Sequence, residues 1–343
     1  MNKVKAFLKR KNIEISAKRY GIDALGAMAQ GLFCSLLIGT IFKTLGTELG
    51  FEFLTNLGAY AMAISGPAMA VAIGYALKAD PMVLFSLAAV GWSANAEGGA
   101  GGPLAVLIIA IIAAECDKIV SKETKVDILV TPAVTILVGV GLSMLIAPPI
   151  GQAASAFGAL IRTATELQPF WMGILVSVLV GIALTLPISS AAICAALSLT
   201  GYAGGAAVAG CCAQMVGFAV MSFKENRWGG LVSQGLGTSM LQMPNIIKNP
   251  RVWIPPILTS AITGPIATCI FKLQMNGAAV NSGMGTCGLC GPIGVWTGWE
   301  NPTTMDWIGL VAICFLLPAI LTPIFCWILR KIGWIKEGDL KLA

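Results

Sequence analysis

Three stretches of this chain combine amides, acids and glycines inside otherwise apolar surroundings. In the first, Asn95 and Glu97 are followed by Gly98-Gly99-Ala100-Gly101-Gly102-Pro103. The second runs from Ser233 to Asn245 and contains Gln234, Gln242 and Asn245. The third covers Asn276, Asn281, Ser282-Gly283-Met284-Gly285-Thr286, then Trp296, Trp299, Glu300 and Asn301. Amides and carboxylates hydrogen-bond to hydroxyls, an indole offers an apolar face to a ring, and glycine lets backbone N–H and C=O groups approach a ligand. That is the chemistry for holding a sugar, a polyol or a similar small polar solute. Asn95, Glu97, Gln242, Asn245, Asn281, Glu300 and Asn301 are therefore the candidate substrate-binding residues. The same glycines could instead close helix crossings, and the amides could cap helix breaks. For one residue the two readings weigh alike; the recurrence in three places favours a cavity.

Glu97 and Glu300 are the acids expected to be buried. A carboxylate inside a membrane segment points by default to a substrate or ion path. Trp296 and Trp299 leave Glu300 a second location, at a membrane interface.

The elements that must position these residues are membrane helices. The 343 residues are 57% hydrophobic and 11% charged, with a mean hydropathy of +0.83, whereas a soluble domain carries about a quarter charged residues. The expected fold is an all-α polytopic membrane protein with about eight to ten membrane segments, including broken or re-entrant helices. Apolar runs predict spans over about Ile22–Leu45, Leu54–Leu77, Ile128–Ala147, Phe170–Leu186, Val252–Leu273 and Trp307–Leu329. Residues 82–115 are too long for one span of about 20 residues and read as two parts meeting at the Asn95–Pro103 break. Residues 151–168, beyond Pro148-Pro149, are expected to lie flat or re-enter.

Basic residues cluster in the amino-terminal tail, Lys118–Lys125, Lys224–Arg227, Lys248–Arg251 and Arg330–Lys341. By the positive-inside rule all of these face the cytoplasm, the amino terminus included. Segments 82–115, 188–222 and 229–247 must then enter and leave on one side. Residues 1–20 form a basic cytoplasmic or interfacial segment suited to anionic lipid, with no cleavable signal; 21–330 form the membrane domain and 331–343 a cytoplasmic tail. The net charge of +6 reflects these links and implies no direct nucleic-acid partner.

There is no histidine, which excludes imidazole metal sites, imidazole proton relays and a phosphohistidine on this chain. Of ten cysteines only Cys287 and Cys290 make a C-x-x-C pair, so packing is favoured over metal or redox chemistry, and no cofactor is expected. No P-loop or soluble hydrolase motif is present, hence no self-contained catalytic site.

Longer blocks carry a resemblance. They are Gly91–Pro103 with Ala114-Glu115 and Lys118–Pro132; Gly210–Phe223; and Gly235–Pro250, continued by Trp253-Ile254-Pro255-Pro256. Together they resemble the small IIC-type membrane proteins related to sugar phosphotransferase permeases, the perfringolysin regulator-like group among them. The resemblance covers most of the chain after about residue 20. It implies a homodimeric, multi-pass permease of the bacterial inner membrane that moves a sugar or related small polar solute by alternating access. It also implies separate IIA and IIB partner proteins; this chain would be at most the membrane subunit of a sugar phosphotransferase. The alternatives are a membrane solute sensor that regulates gene expression indirectly, and an ion-coupled carrier independent of phosphoryl transfer.

Overall fold

The computed structural model describes residues 3–297, 299 and 301–342, and these form helices with no strand among them. A short helix, α1 (Lys3–Arg10), precedes α2 (Arg19–Glu48), one 30-residue helix interrupted by wider π-helical turns at Arg19–Ala24 and Phe33–Leu37. The returning span is bent by 48° between α3 (Glu52–Ala63) and α4 (Ser65–Ala76).

Helix α5 (Pro81–Gly98) ends in a turn at Gly99–Gly101, and α6 (Gly102–Val120) runs back beside it. Gly99 makes the reversal with a φ of +49°, where a side chain would be strained. At the base of the hairpin Ser121 Oγ donates to Asp80 Oδ2 at 3.1 Å. The expected break at 95–103 is thus the closed end of a hairpin.

Helix α7 (Asp127–Thr165) packs along both arms of that hairpin and has 39 residues. Its length is roughly 58 Å, about twice the hydrocarbon thickness of a bilayer. The sequence predicted a stop at Pro148-Pro149 and a separate segment after it; the structure has one continuous helix through Pro132, Pro148 and Pro149. In apolar surroundings no other conformation satisfies the remaining backbone groups, so the helix tolerates its prolines.

The second half contains α8 (Pro169–Thr185), α9 (Ser190–Ala196), α10 (Gly201–Met221), α11 (Phe223–Val232), α12 (Met243–Lys248), α13 (Pro250–Ile270), α14 (Cys290–Trp296) and α15 (Thr304–Lys331). Helices α8, α13 and α15 pack around α10, which is almost wholly enclosed. Where α8 crosses α10, Gly210 lies so close to the Ser177 carbonyl that no Cβ fits, the small-residue contact that lets membrane helices approach. Segment 188–222 is not a single hairpin. Only the stretch around α9 turns back, and α10 runs the full length of the bundle to Ser222.

Helices α2, α7, α10, α13 and α15 are each long and apolar enough to cross a membrane, and the bent α3–α4 pair makes one more span. Ion pairs and hydrogen bonds define one basic end. Arg10 and Lys11 pair with Glu123 at 2.6 and 2.5 Å, Arg19 Nη2 donates to the Leu77 carbonyl, Lys122 pairs with Asp80, and Arg330 pairs with Glu225 at 2.5 Å. Among the described lysines and arginines only Lys43, Arg162 and Lys272 lie away from this end.

Candidate functional site

Two irregular segments enter the second half from opposite ends. From the basic end, α11 leads into a π-helical turn at Ser233–Gly237, a short 3-10 turn at Ser239–Gln242, and back through α12. From the other end, the chain leaves α13, pairs Met275 with Gly201, and dips through a four-residue helix, Ala279–Ser282, to Cys287–Leu289 before returning in α14. The tips meet where Thr286 Oγ1 donates to the Gly235 carbonyl at 2.5 Å.

Beside this contact lies a buried polar cluster. Thr185 Oγ1 is 2.8 Å from Ser239 Oγ, and Gln214 Oε1 accepts from Trp253 Nε1 at 2.9 Å and from Thr185 Oγ1 at 3.3 Å. Gln214 Nε2 donates to Ser260 Oγ at 3.4 Å. One glutamine thus ties α8, α10 and α13 to the tip of the basic-end segment. Buried amides in a low-dielectric interior must be bonded, and such networks hold one geometry.

A cavity of about 930 Å³ opens at the basic end and reaches inward between α2 and the basic-end segment. Asp23, Gln30 and Phe33 line one side; Ser233, Asn245 and Lys248 line the other, with Asp339 and Lys341 of the carboxyl-terminal tail. Its size falls within the range of small-molecule sites, roughly 300–1,000 Å³. At the inner end the Phe33 ring presses on Gly237, leaving no room for a Cβ there. Phe33 sits in the second π turn of α2, whose extra residue offsets the helix at the cavity wall.

The expected binding residues divide between several places. Gln242 and Asn245 are buried and bonded to each other, Asn245 Nδ2 donating to Gln242 Oε1 at 2.8 Å, and Asn245 lines the cavity. Asn95 is half-buried at the end of α5, against Gly66 and Gly102. Glu97, expected to be buried, is exposed: α4 packs on Gly91 and α6 and α7 on Gly98, the side of α5 that also buries Ala94, which turns Glu97 outward. Asn281 is half-buried against Gly294 in the opposite-end segment. Asn301 lines a smaller cavity of about 390 Å³ at the opposite end, with Lys272, Asn276 and Trp299. Glu300 lies outside the described residues.

Asp23, Gln30 and Phe33 were not expected at the site, because Ile22–Leu45 reads as an ordinary span. The available signal was Gln30, an amide within that apolar run. Gln214 had a similar signal within Gly210–Phe223.

No curated protein sequence matches the chain. The family model described as Phosphotransferase system, EIIC matches residues 22–342, which takes in both irregular segments and every membrane helix save the first three residues of α2. This multi-pass membrane protein therefore belongs to the phosphotransferase-system EIIC family.

Proposed function

We propose that this chain is the membrane permease for a sugar or related small polar solute, with the 930 Å³ vestibule as its solute path on the cytoplasmic side. The supporting observation is the vestibule itself. It lies at the basic end, sets the polar side chains of Asp23, Gln30, Ser233, Asn245 and Lys248 into a largely apolar wall, and ends near Phe33, which presses on Gly237. The basic end is cytoplasmic by the positive-inside rule, so this conformation is open inward. Alternating access would part the Thr286–Gly235 and Phe33–Gly237 contacts while closing the vestibule, the kind of rearrangement that broken helices permit. The smaller cavity around Asn301 and Trp299 would then serve the outer approach.

Membership in the family supports separate IIA and IIB proteins as phosphoryl donors. The chain has no histidine to carry a phosphoryl group itself. A homodimer would cover part of the exposed apolar face of α7 around Leu137, Met144 and Leu145, and α1 would rest at anionic lipid on the inner leaflet. The test is uptake of labelled hexoses, hexitols and sugar acids into bacterial membrane vesicles and proteoliposomes, with and without phosphotransferase carrier proteins. Saturable uptake of one solute, blocked by bulky substitution at Gln30, supports the reading. Absence of uptake across the panel with the carriers present would overturn it.

A further inference from the structure

A buried relay of carboxamides, whose direction is set by main-chain atoms, ends at Asn245 in the vestibule wall. Gln234 Nε2 donates to Ser222 Oγ at 3.0 Å and to the Gly230 carbonyl at 2.9 Å. Gln234 Oε1 accepts from Gln242 Nε2 at 2.8 Å, and that nitrogen also donates to the Leu340 carbonyl at 3.0 Å. Gln242 Oε1 accepts from Asn245 Nδ2 at 2.8 Å, and that nitrogen also donates to the Lys341 carbonyl at 3.0 Å.

The carbonyls of Gly230, Leu340 and Lys341 can only accept, so an amide nitrogen must face each of them. Turning over Gln242 or Asn245 would set oxygen against oxygen twice, and turning over Gln234 would do so at the Gly230 carbonyl. Every amide N–H of the relay therefore has an acceptor, two per nitrogen. What remains is the Asn245 Oδ1 oxygen at the end of the relay. It takes no hydrogen bond from any described residue, it is not enclosed, and its residue lines the vestibule.

We infer that Asn245 presents a carbonyl acceptor to the vestibule for a hydroxyl of a neutral solute, and that Gln234 and Gln242 are positioning residues that act through it. This rests on the vestibule being the solute path. The main chain of Leu340–Lys341 locks the relay, which makes the carboxyl-terminal tail part of the specificity of the site. A solute hydroxyl donates to this oxygen, whereas a carboxylate or ionised phosphate meets it oxygen to oxygen, and the vestibule's Lys248 and Lys341 are offset by Asp23 and Asp339, leaving no net positive charge to hold an anion there. The signal escaped the sequence because Gln242 and Asn245 read there as two equal contacts, while the tail that orients them lies about a hundred residues away along the chain.

The experiment is equilibrium binding to the purified full-length protein of glucose, fructose, mannitol, gluconate and glucose 6-phosphate, together with thermal stability. A neutral member is expected to bind in preference to both anions. Asn245→Ala is expected to weaken that binding about tenfold or more, the loss of a buried polar contact. Gln242→Leu is expected to weaken it in the native background but to change it less than about twofold on top of Asn245→Ala. Its loss of thermal stability persists in both backgrounds, which separates positioning from folding. If Asn245→Ala does not fold, Asn245→Ser replaces it. An equal affinity loss from Gln242→Leu in both backgrounds, unchanged binding in the Asn245 variant, or a preference for either anion overturns the inference alone. Failure of every compound to bind overturns the vestibule reading and this inference with it.

Discussion

Thr286 Oγ1 donates to the Gly235 carbonyl across 51 positions of sequence, joining two segments that enter the protein from opposite ends. The near-isosteric Thr286→Val keeps the volume and removes the donor. It takes this donor from the half-buried Gly235 carbonyl, at a cost of about 1 kcal/mol. We expect a lower Tm and, from the loosened contact, faster efflux of sugar trapped in proteoliposomes. Native values of both quantities would remove this contact from the barrier.

Phe33 and Gly237 form the second part of the same closure. A methyl at position 237 would overlap the Phe33 ring, and overpacking of this kind costs about 1–3 kcal/mol. Gly237→Ala should destabilise the protein and slow uptake. Phe33→Ala in the same chain should recover much of the lost stability by vacating the space. The double variant is the measurement that decides, because independent defects would add.

Gln214, itself fully buried, accepts from two donors and gives to a third partner. Gln214→Leu fills the space but strips the Trp253 indole N–H of its acceptor. Each buried donor left bare costs about 1–3 kcal/mol. The expected result is a clear fall in Tm of the detergent-solubilised protein, larger than that for Ser260→Ala, which takes from Gln214 only its weakest contact, at 3.4 Å, along with the hydroxyl's own bonds to the Pro256 and Gly210 carbonyls.

Glu123 anchors the amino-terminal segment to the loop between α6 and α7. The Lys11 ammonium bonded to it, reinforced by Arg10, holds its carboxyl below the usual carboxylate range. A depressed folded pKa stabilises the docked form above the unfolded value of about 4.3 and is lost as pH falls through the folded value. The segment should therefore resist trypsin at neutral pH, and amide hydrogen exchange across a pH series should show it released only as pH falls through that depressed value, below the usual carboxylate range. Because the pair is solvent-exposed, salt should loosen it at neutral pH. Glu123→Gln should expose Lys11 and Arg10 to cleavage at every pH, and an unchanged digestion pattern would show that other contacts hold the segment.

Much of the architecture was legible in composition. The long apolar runs, the broken motif at 95–103 and the basic links together required hairpins, and α5–α6 and the segment from α11 to α12 are such hairpins. At Pro148-Pro149 the local signal misled, because the environment of a proline in a membrane helix outweighs its local preference. At 188–222 the chain does break just before the glycines at 201–205, α9 ending at Ala196 and α10 starting at Gly201 with a φ of +59°, while Gly205 packs against the Leu273 carbonyl and Gly204 against Met275.

The site was legible only in part. Amide-rich stretches could be recognised, and one of them, 233–245, does line the vestibule. Residue types and periodicity alone established a polytopic helical membrane protein with a basic face and polar breaks, because hydropathy and charge act locally and along the chain. Tertiary structure decided which breaks meet. It turned Glu97 outward, brought Gln30 and Phe33 of the first long helix to the second half, and laid residues 340–341 on Gln242 and Asn245. Those choices depend on which faces of distant helices pack together and which main-chain atoms an amide finds, and neither is written at any single position of the chain.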